Sequence, residues 1–279
     1  MRPTGNTHGS ETSSYARLIV DLDGTLYRGP QPLPGAVEAM ARLRQTHDVL
    51  FLSNNCNVSA SRAARRLREM GFEAEPFEVV TSVTLMVEAV NDLGAGLRVL
   101  ALTSGDLEPS LEEAGHRIVG ANRAEVAVVG VDHAISYKRL TDVLRALLAG
   151  AVLIGANADA TYPTEDGPRP AAGAFLGAVR GMGFSPSCMA GKPDPWAMRT
   201  ALRLRGFAPD EQCLLVGDRL DSDILGAQAI GVDSALVLTG ASGREDMTRF
   251  GIRPTYVLDA LPSILDGLSA DREAVGKAQ

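Results

Sequence analysis

Two carboxylates one residue apart, Asp21 and Asp23, close the apolar run Leu18-Ile19-Val20, and Gly24 and Thr25 follow at once. The run reads as a buried parallel strand and the glycine as its break. Alternate residues of a strand point to the same side, so both carboxylates are expected to converge at its carboxyl end. Two acids held that close repel, and they need a proton or a cation between them. Asp-Gly is also an ordinary turn pair, so the chemistry depends on what else the chain supplies. Three stretches qualify. Val49-Leu50-Phe51-Leu52 ends in Ser53, Asn54 and Asn55. Gly191-Lys192-Pro193 fixes a lysine between two residues that punctuate backbone. Leu214-Leu215-Val216-Gly217 ends in an acid cluster, Asp218, Asp221 and Asp223.

Phosphate-ester cleavage needs a nucleophile, a proton donor for the leaving oxygen and positive charge around the phosphoryl group. Asp21 suits the nucleophile, because a carboxylate can form an aspartyl-phosphate and divide one hard step into two. Asp23 suits the acid that protonates the leaving alkoxide and then the base that activates water. The Ser53 hydroxyl, the backbone N–H groups of Asn54 and Gly24, and the Lys192 charge are candidates to hold the phosphate. Magnesium fits as cofactor, since it keeps several waters and needs few protein carboxylates. Asp21 and Asp218 would supply side-chain oxygens and Asp23 its backbone carbonyl. Asp223 would orient the metal shell or reach the metal through water. Arg219 and Asp221 are expected to face solvent or cap the following helix.

Asp-x-Asp-Gly-Thr, Ser-Asn-Asn, Gly-Lys-Pro and Gly-Asp-x-x-x-x-Asp, in that order, resemble the motifs of the haloacid dehalogenase-like (HAD) phosphatases. The resemblance runs from about residue 18 to 242 and is nearest to the NagD-like and p-nitrophenyl-phosphatase-like branch. It implies a Rossmann-like α/β core, an inserted cap of the C2 type, a small phosphorylated metabolite as substrate, and a homodimer formed through the cap. The matching residues of that family hold the two roles given to Asp21 and Asp23. A dehalogenase of the superfamily does not need the second aspartate, because a leaving halide takes no proton; Asp23 therefore favours phosphate monoesters. In relatives, the stretch matching Asn157, Asp159, Thr161 and Tyr162 lies at the substrate face of the cap, with Pro163 stiffening it here. The pyridoxal-phosphate type carries a histidine where Tyr162 falls, so sugar phosphate, glycerol phosphate or phosphoglycolate types fit better. A phosphoryl-transferring mutase on the same fold and a non-catalytic sugar-phosphate-binding protein are the competing readings.

The elements that must position these residues alternate throughout. Apolar strands are expected at 49–52, 79–82, 97–102, 126–131, 151–154, 235–238 and 256–258, with amphipathic helices between them, which argues a mostly parallel sheet with right-handed crossovers. Residues 26–29 suit a hairpin over the site. The catalytic pieces stop at Asn55 and resume at Lys192, and the segment between has its own strand-helix alternation. The expected division is a leader at 1–14, a catalytic core at 15–83 and 188–279, and an inserted cap at 84–187. The arginines at 62, 65, 66 and 68 read as a solvated basic face.

Bulk properties agree. The chain has 279 residues, 45% apolar and 22% charged, ordinary for a globular protein. A net charge of −7 argues against a nucleic-acid partner. No apolar run is long enough to span a membrane, and residues 1–14 lack the apolar stretch of a signal peptide, so a cytoplasmic location is expected. The three cysteines suit neither pairing nor a zinc site. Cys56, just past Ser53-Asn54-Asn55, falls near the site and reads as either a packing residue or an oxidation-sensitive thiol.

Overall fold

A computed structural model describes residues 15–268 apart from 163 and 165. The expected leader at 1–14 and the stiffening Pro163 lie outside the described residues. Two parallel sheets organise the chain. The first has six strands in the order Tyr256–Leu258, Asp233–Val237, Cys213–Gly217, Arg17–Val20, Asp48–Ser53 and Val79–Thr81. Every adjacent pair is parallel, with Val20 opposite both Val216 and Phe51. That register brings the Asp21, Ser53 and Asp218 ends of three neighbouring strands to one edge. Open α/β sheets bind ligands at this carboxyl edge. The three central strands are buried on both faces, which is why they read as unbroken apolar runs.

The second sheet has five parallel strands in the order Cys188–Met189, Val152–Gly155, Val126–Val129, Arg98–Leu102 and Arg117–Ile118. The expected insertion limits, 84 and 187, fall inside the helix Ser82–Leu93 and one residue before the edge strand Cys188–Met189. One apolar cluster runs from Ile19, Leu50 and Leu52 in the first sheet to Val99, Val128 and Ile154 in the second. Met86 and Val90 of the helix Ser82–Leu93, with Met198 of the helix Pro195–Arg205, lie in that same cluster. The other face of the second sheet closes over a separate cluster that includes Leu102, Val129, Leu147 and Leu176.

Residues 27–32 form the expected hairpin, Tyr27–Arg28 against Gln31–Pro32. A second hairpin pairs Thr161–Tyr162 with Arg169–Pro170. The arginines of the helix Ala60–Glu69 are not a plain solvated face. Arg62 pairs with Asp106 at 2.7 Å, Arg66 donates to the Gly29 carbonyl at 2.7 Å, and Arg68 donates to the Ala74 carbonyl at 2.6 Å. Ser59 immediately precedes that helix, but its hydroxyl donates to Asp106 rather than capping. No helix among the described residues is long and apolar enough to cross a membrane.

Candidate active site

The centre of the site is the Lys192 ammonium, 2% exposed. It donates to Asp21 Oδ1 at 2.5 Å, Asp223 Oδ1 at 2.6 Å and the Leu52 carbonyl at 3.1 Å. A lysine has three protons, and here all three are used. Burial alone would lower its pKa, but Asp21 and Asp223 more than reverse this and hold it charged. For Asp21, burial pushes the carboxyl well above the usual range; Lys192 opposes the rise, and Asp223 and Asp218 add to it.

Asp223 reaches Lys192 through the irregular turn Leu220–Ile224, a wide helical turn that carries it back under the strand end. Its second oxygen accepts the Arg219 N–H at 3.0 Å. Gly217 makes room for it: a Cβ there would overlap the Asp223 carboxyl. Asp218 is held by the Ala241 N–H at 2.6 Å on Oδ2, whereas its Oδ1 is buried without a partner. Burial, with the neighbouring Asp223 charge, pushes its carboxyl up to about 7. Gly24 and Gly240 leave the space it occupies, since a Cβ on either would overlap its carboxylate. Gly24 also takes a left-handed φ of 85°, which favours glycine.

One carboxylate oxygen from each of Asp21, Asp218 and Asp223 lies within 4.8 Å of the other two. Three buried carboxylates against one ammonium leave a negative excess that burial makes costly. An orphaned buried oxygen on Asp218 and an all-oxygen donor set suit a hard divalent cation such as magnesium. Asp21 and Asp218 are the residues to hold it, with Asp223 divided between that role and Lys192.

Asp23 stands apart from this cluster, on the exposed side of the strand end. Partial burial raises its pKa, and the Arg66 and Arg28 charges oppose the rise. Arg66 lies over the Tyr27 ring at 4.8 Å from its centroid, so this helix arginine pins the hairpin beside Asp23. The solvated-face reading misses that contact, because helical periodicity alone does not say which loop a long side chain reaches. Ser53, 8% exposed, accepts the Asn55 N–H at 3.2 Å and keeps its own proton to donate. Gly24 departs from expectation. Its N–H donates to the Tyr27 carbonyl at 2.8 Å, so the turn has taken the donor assigned to phosphate. Asn54 turns its side chain to the Lys192 backbone and to Asp159.

The second sheet contributes Asn157, which donates to the Asn54 carbonyl at 2.7 Å, and Asp159, 3.0 Å from the Asn54 amide. Thr161 and Tyr162 sit farther out on their hairpin, exposed and half-buried, with no side-chain hydrogen bond to the first sheet among the described residues. Arg219 and Asp221 form a bidentate pair at 3.0 and 3.1 Å. Arg219 does more than face solvent: burial raises the Asp159 carboxyl, and the Arg219 charge opposes that rise. Cys56 is buried, accepts the Val131 N–H, and has its thiol pushed up to about 11 by burial. Such a thiol is inert at neutral pH.

Residues 18–117 match the haloacid dehalogenase-like hydrolase family, and residues 189–264 match the HAD-hydrolase-like family. The chain is 37% identical to the D-glycerol 3-phosphate phosphatase of Mycobacterium tuberculosis, across 88% of this chain and 70% of the relative. It is 33% identical to the acid sugar phosphatase of Staphylococcus aureus, across 87% of this chain and 93% of the relative. A solved glycerol phosphate phosphatase from M. tuberculosis, in complex with magnesium, superposes with a TM-score of 0.84 at 36% identity, covering 92% of this chain and 78% of that one.

Proposed function

Since this chain belongs to the haloacid dehalogenase-like hydrolases, we propose that it is a magnesium-dependent phosphatase that frees phosphate from a small polyol or sugar phosphate through an aspartyl-phosphate on Asp21. Phosphoglycolate is the third substrate type that suits the site. The observation that carries the reading is the buried Asp21–Lys192–Asp223 triad beside the orphaned Asp218 oxygen. Buried charge this concentrated is costly, and catalytic sites are where such clusters gather, which favours an enzyme over a binding protein.

In this reading the Asp21 carboxylate attacks phosphorus and the P–O bond to the leaving oxygen breaks. Asp23 gives that oxygen its proton. Asp23, now a carboxylate, takes a proton from water as the water attacks phosphorus, which breaks the Asp21–phosphoryl bond and restores both residues. Ser53 and the Asn54 N–H hold the phosphoryl oxygens, and the Lys192 charge beside Asp21 offsets the negative charge gathered there. Magnesium, when bound by Asp21, Asp218, the Asp23 carbonyl and Asp223, neutralises the charge of carboxylates and phosphate. The five-stranded unit acts as the cap, with Thr161 and Tyr162 on the side of the leaving group and Asn157 and Asp159 joined to Asn54. Exposed Ile135, Tyr137 and Leu148 on that unit support pairing of two copies through it.

The test is phosphate release from a panel of phosphorylated metabolites with magnesium. Glycerol and sugar phosphates are expected to turn over, excess chelator to stop the reaction, and Asp21→Asn to abolish it. Beryllofluoride is expected to bind wild type and not that variant. Phosphate retained on a rearranged product would indicate a mutase; turnover by Asp21→Asn would end the covalent scheme.

A further inference from the structure

Three loops from both sheets meet at Asn54. Its Oδ1 accepts the Lys192 N–H at 2.8 Å, and its Nδ2 donates to the Lys192 carbonyl at 3.1 Å. The same Nδ2 donates its other proton to Asp159 Oδ2 at 3.0 Å. The Asn54 carbonyl accepts from Asn157 Nδ2 at 2.7 Å, and Asn157 Oδ1 in turn accepts the Asp159 N–H at 3.2 Å. Backbone N–H only donates and backbone carbonyl only accepts, so one amide orientation alone satisfies both Lys192 contacts. The packing here is tight. A Cβ on Gly191 would come within 2.9 Å of Asn54 Oδ1, within 2.8 Å of the Asn157 Cβ and within 2.7 Å of the Ala156 carbonyl.

Lys192 is thus held at both ends. Its ammonium is saturated by Asp21, Asp223 and the Leu52 carbonyl, and its backbone is gripped on both sides by one amide. A lysine carries much rotamer freedom, so fixing its charge against Asp21 depends on fixing the backbone from which the chain springs. That grip is itself anchored by two residues of the second sheet. Asp159 and Asn157, read from the sequence as leaving-group contacts, spend their hydrogen bonds on Asn54.

We propose that Asn54 is a positioning residue that ties the placement of the Lys192 ammonium to the 156–159 loop, so that Asp159 acts on phosphoryl transfer through Asn54 and Lys192. The proposal rests on the phosphatase reading above and adds to it a line of coupling from cap to core. It makes a loop of the second sheet part of the charge arrangement at phosphorus, whatever the leaving group.

The test uses the full chain with magnesium and four variants: Asn54→Ala, Asp159→Ala, Asp159→Asn and the Asn54→Ala/Asp159→Ala double. Turnover of p-nitrophenyl phosphate is read beside inhibition by inorganic phosphate, a probe with no leaving group. Both single alanine variants are expected to lower kcat by about tenfold, the scale of one well-made hydrogen bond, and to weaken phosphate inhibition by the same factor. Asp159→Asn keeps an acceptor oxygen toward Asn54 and is expected to recover most of both losses. The double variant is expected to lose no more than Asn54→Ala alone, because both changes break one chain of contacts. Losses that multiply, or an Asp159→Ala enzyme with unchanged phosphate inhibition, would overturn the proposal. If Asn54→Ala does not fold, the Asp159 pair decides the matter by the phosphate-inhibition readout. A wild type that releases phosphate from no ester would overturn the phosphatase reading instead.

Discussion

At the scale of single residues, the site is defined by where charge is left uncompensated. Lys192 is saturated, whereas Asp218 keeps one buried oxygen without a partner and a carboxyl pushed up to about 7. An acid whose folded-state pKa lies above its unfolded value, about 3.9, binds its proton more tightly when folded. Its contribution to stability is therefore fully present below that unfolded value and is lost as pH rises toward 7. Without metal, the Tm of wild type relative to Asp218→Asn is expected to fall between about pH 4 and pH 7. Magnesium replaces the proton and is expected to flatten that difference. Thermal melts of both proteins, with chelator and with magnesium, check this; a pH-independent difference in chelator would contradict the assignment.

At the scale of elements, glycines at the strand ends decide whether the carboxylates fit. The loop after the strand Asp233–Val237 brings Gly240 against Asp218, where a Cβ would overlap the carboxylate. The wide turn Leu220–Ile224 does the corresponding work for Asp223, and Gly217 gives it room. Gly240→Ala presses on Asp218 from its Cβ outward, so a thermal melt of the variant first establishes that it folds. It should displace Asp218 and raise the magnesium concentration for half-maximal activity by about tenfold or more, as other outer-shell changes do. A magnesium titration of the variant measures this. An unchanged titration would mean that Asp218 does not hold the metal.

At the scale of the whole molecule, the two sheets share one apolar cluster, which runs through the helices Ser82–Leu93 and Pro195–Arg205. Large apolar interfaces restrain relative motion of the units that they join. The 84–187 segment holds one core of its own, around Leu102, Val129 and Leu176, but its other face packs on residues outside it. Expressed alone, 84–187 is expected to lack a cooperative thermal transition, since Met198 and Ala201 would be missing from that face. Calorimetry of the excised segment is the measurement; a sharp reversible transition would make the insertion an independent domain.

Much of this was legible in the chain itself. Apolar runs ending in Asp21, Ser53 and Asp218 sit at the carboxyl edge because a parallel sheet buried on both faces leaves polar residues nowhere else to go. The role of Lys192 beside the carboxylates was implied by the order of the motifs and their family resemblance, not by the strand pattern, since Lys192 lies in a loop after the edge strand of the second sheet. Other contacts depended on the tertiary structure. The Gly24 N–H was taken by a hairpin carbonyl, Arg66 reached over Tyr27 toward Asp23, and Asn54 turned away to grip Lys192 and Asp159. These are contacts across 105 and 138 residues for Asn54. Sequence spacing fixes the direction of a side chain within its own element, through the periods of helix and strand. Which group meets that side chain from another element is decided only when the sheets pack and every buried donor must find an acceptor.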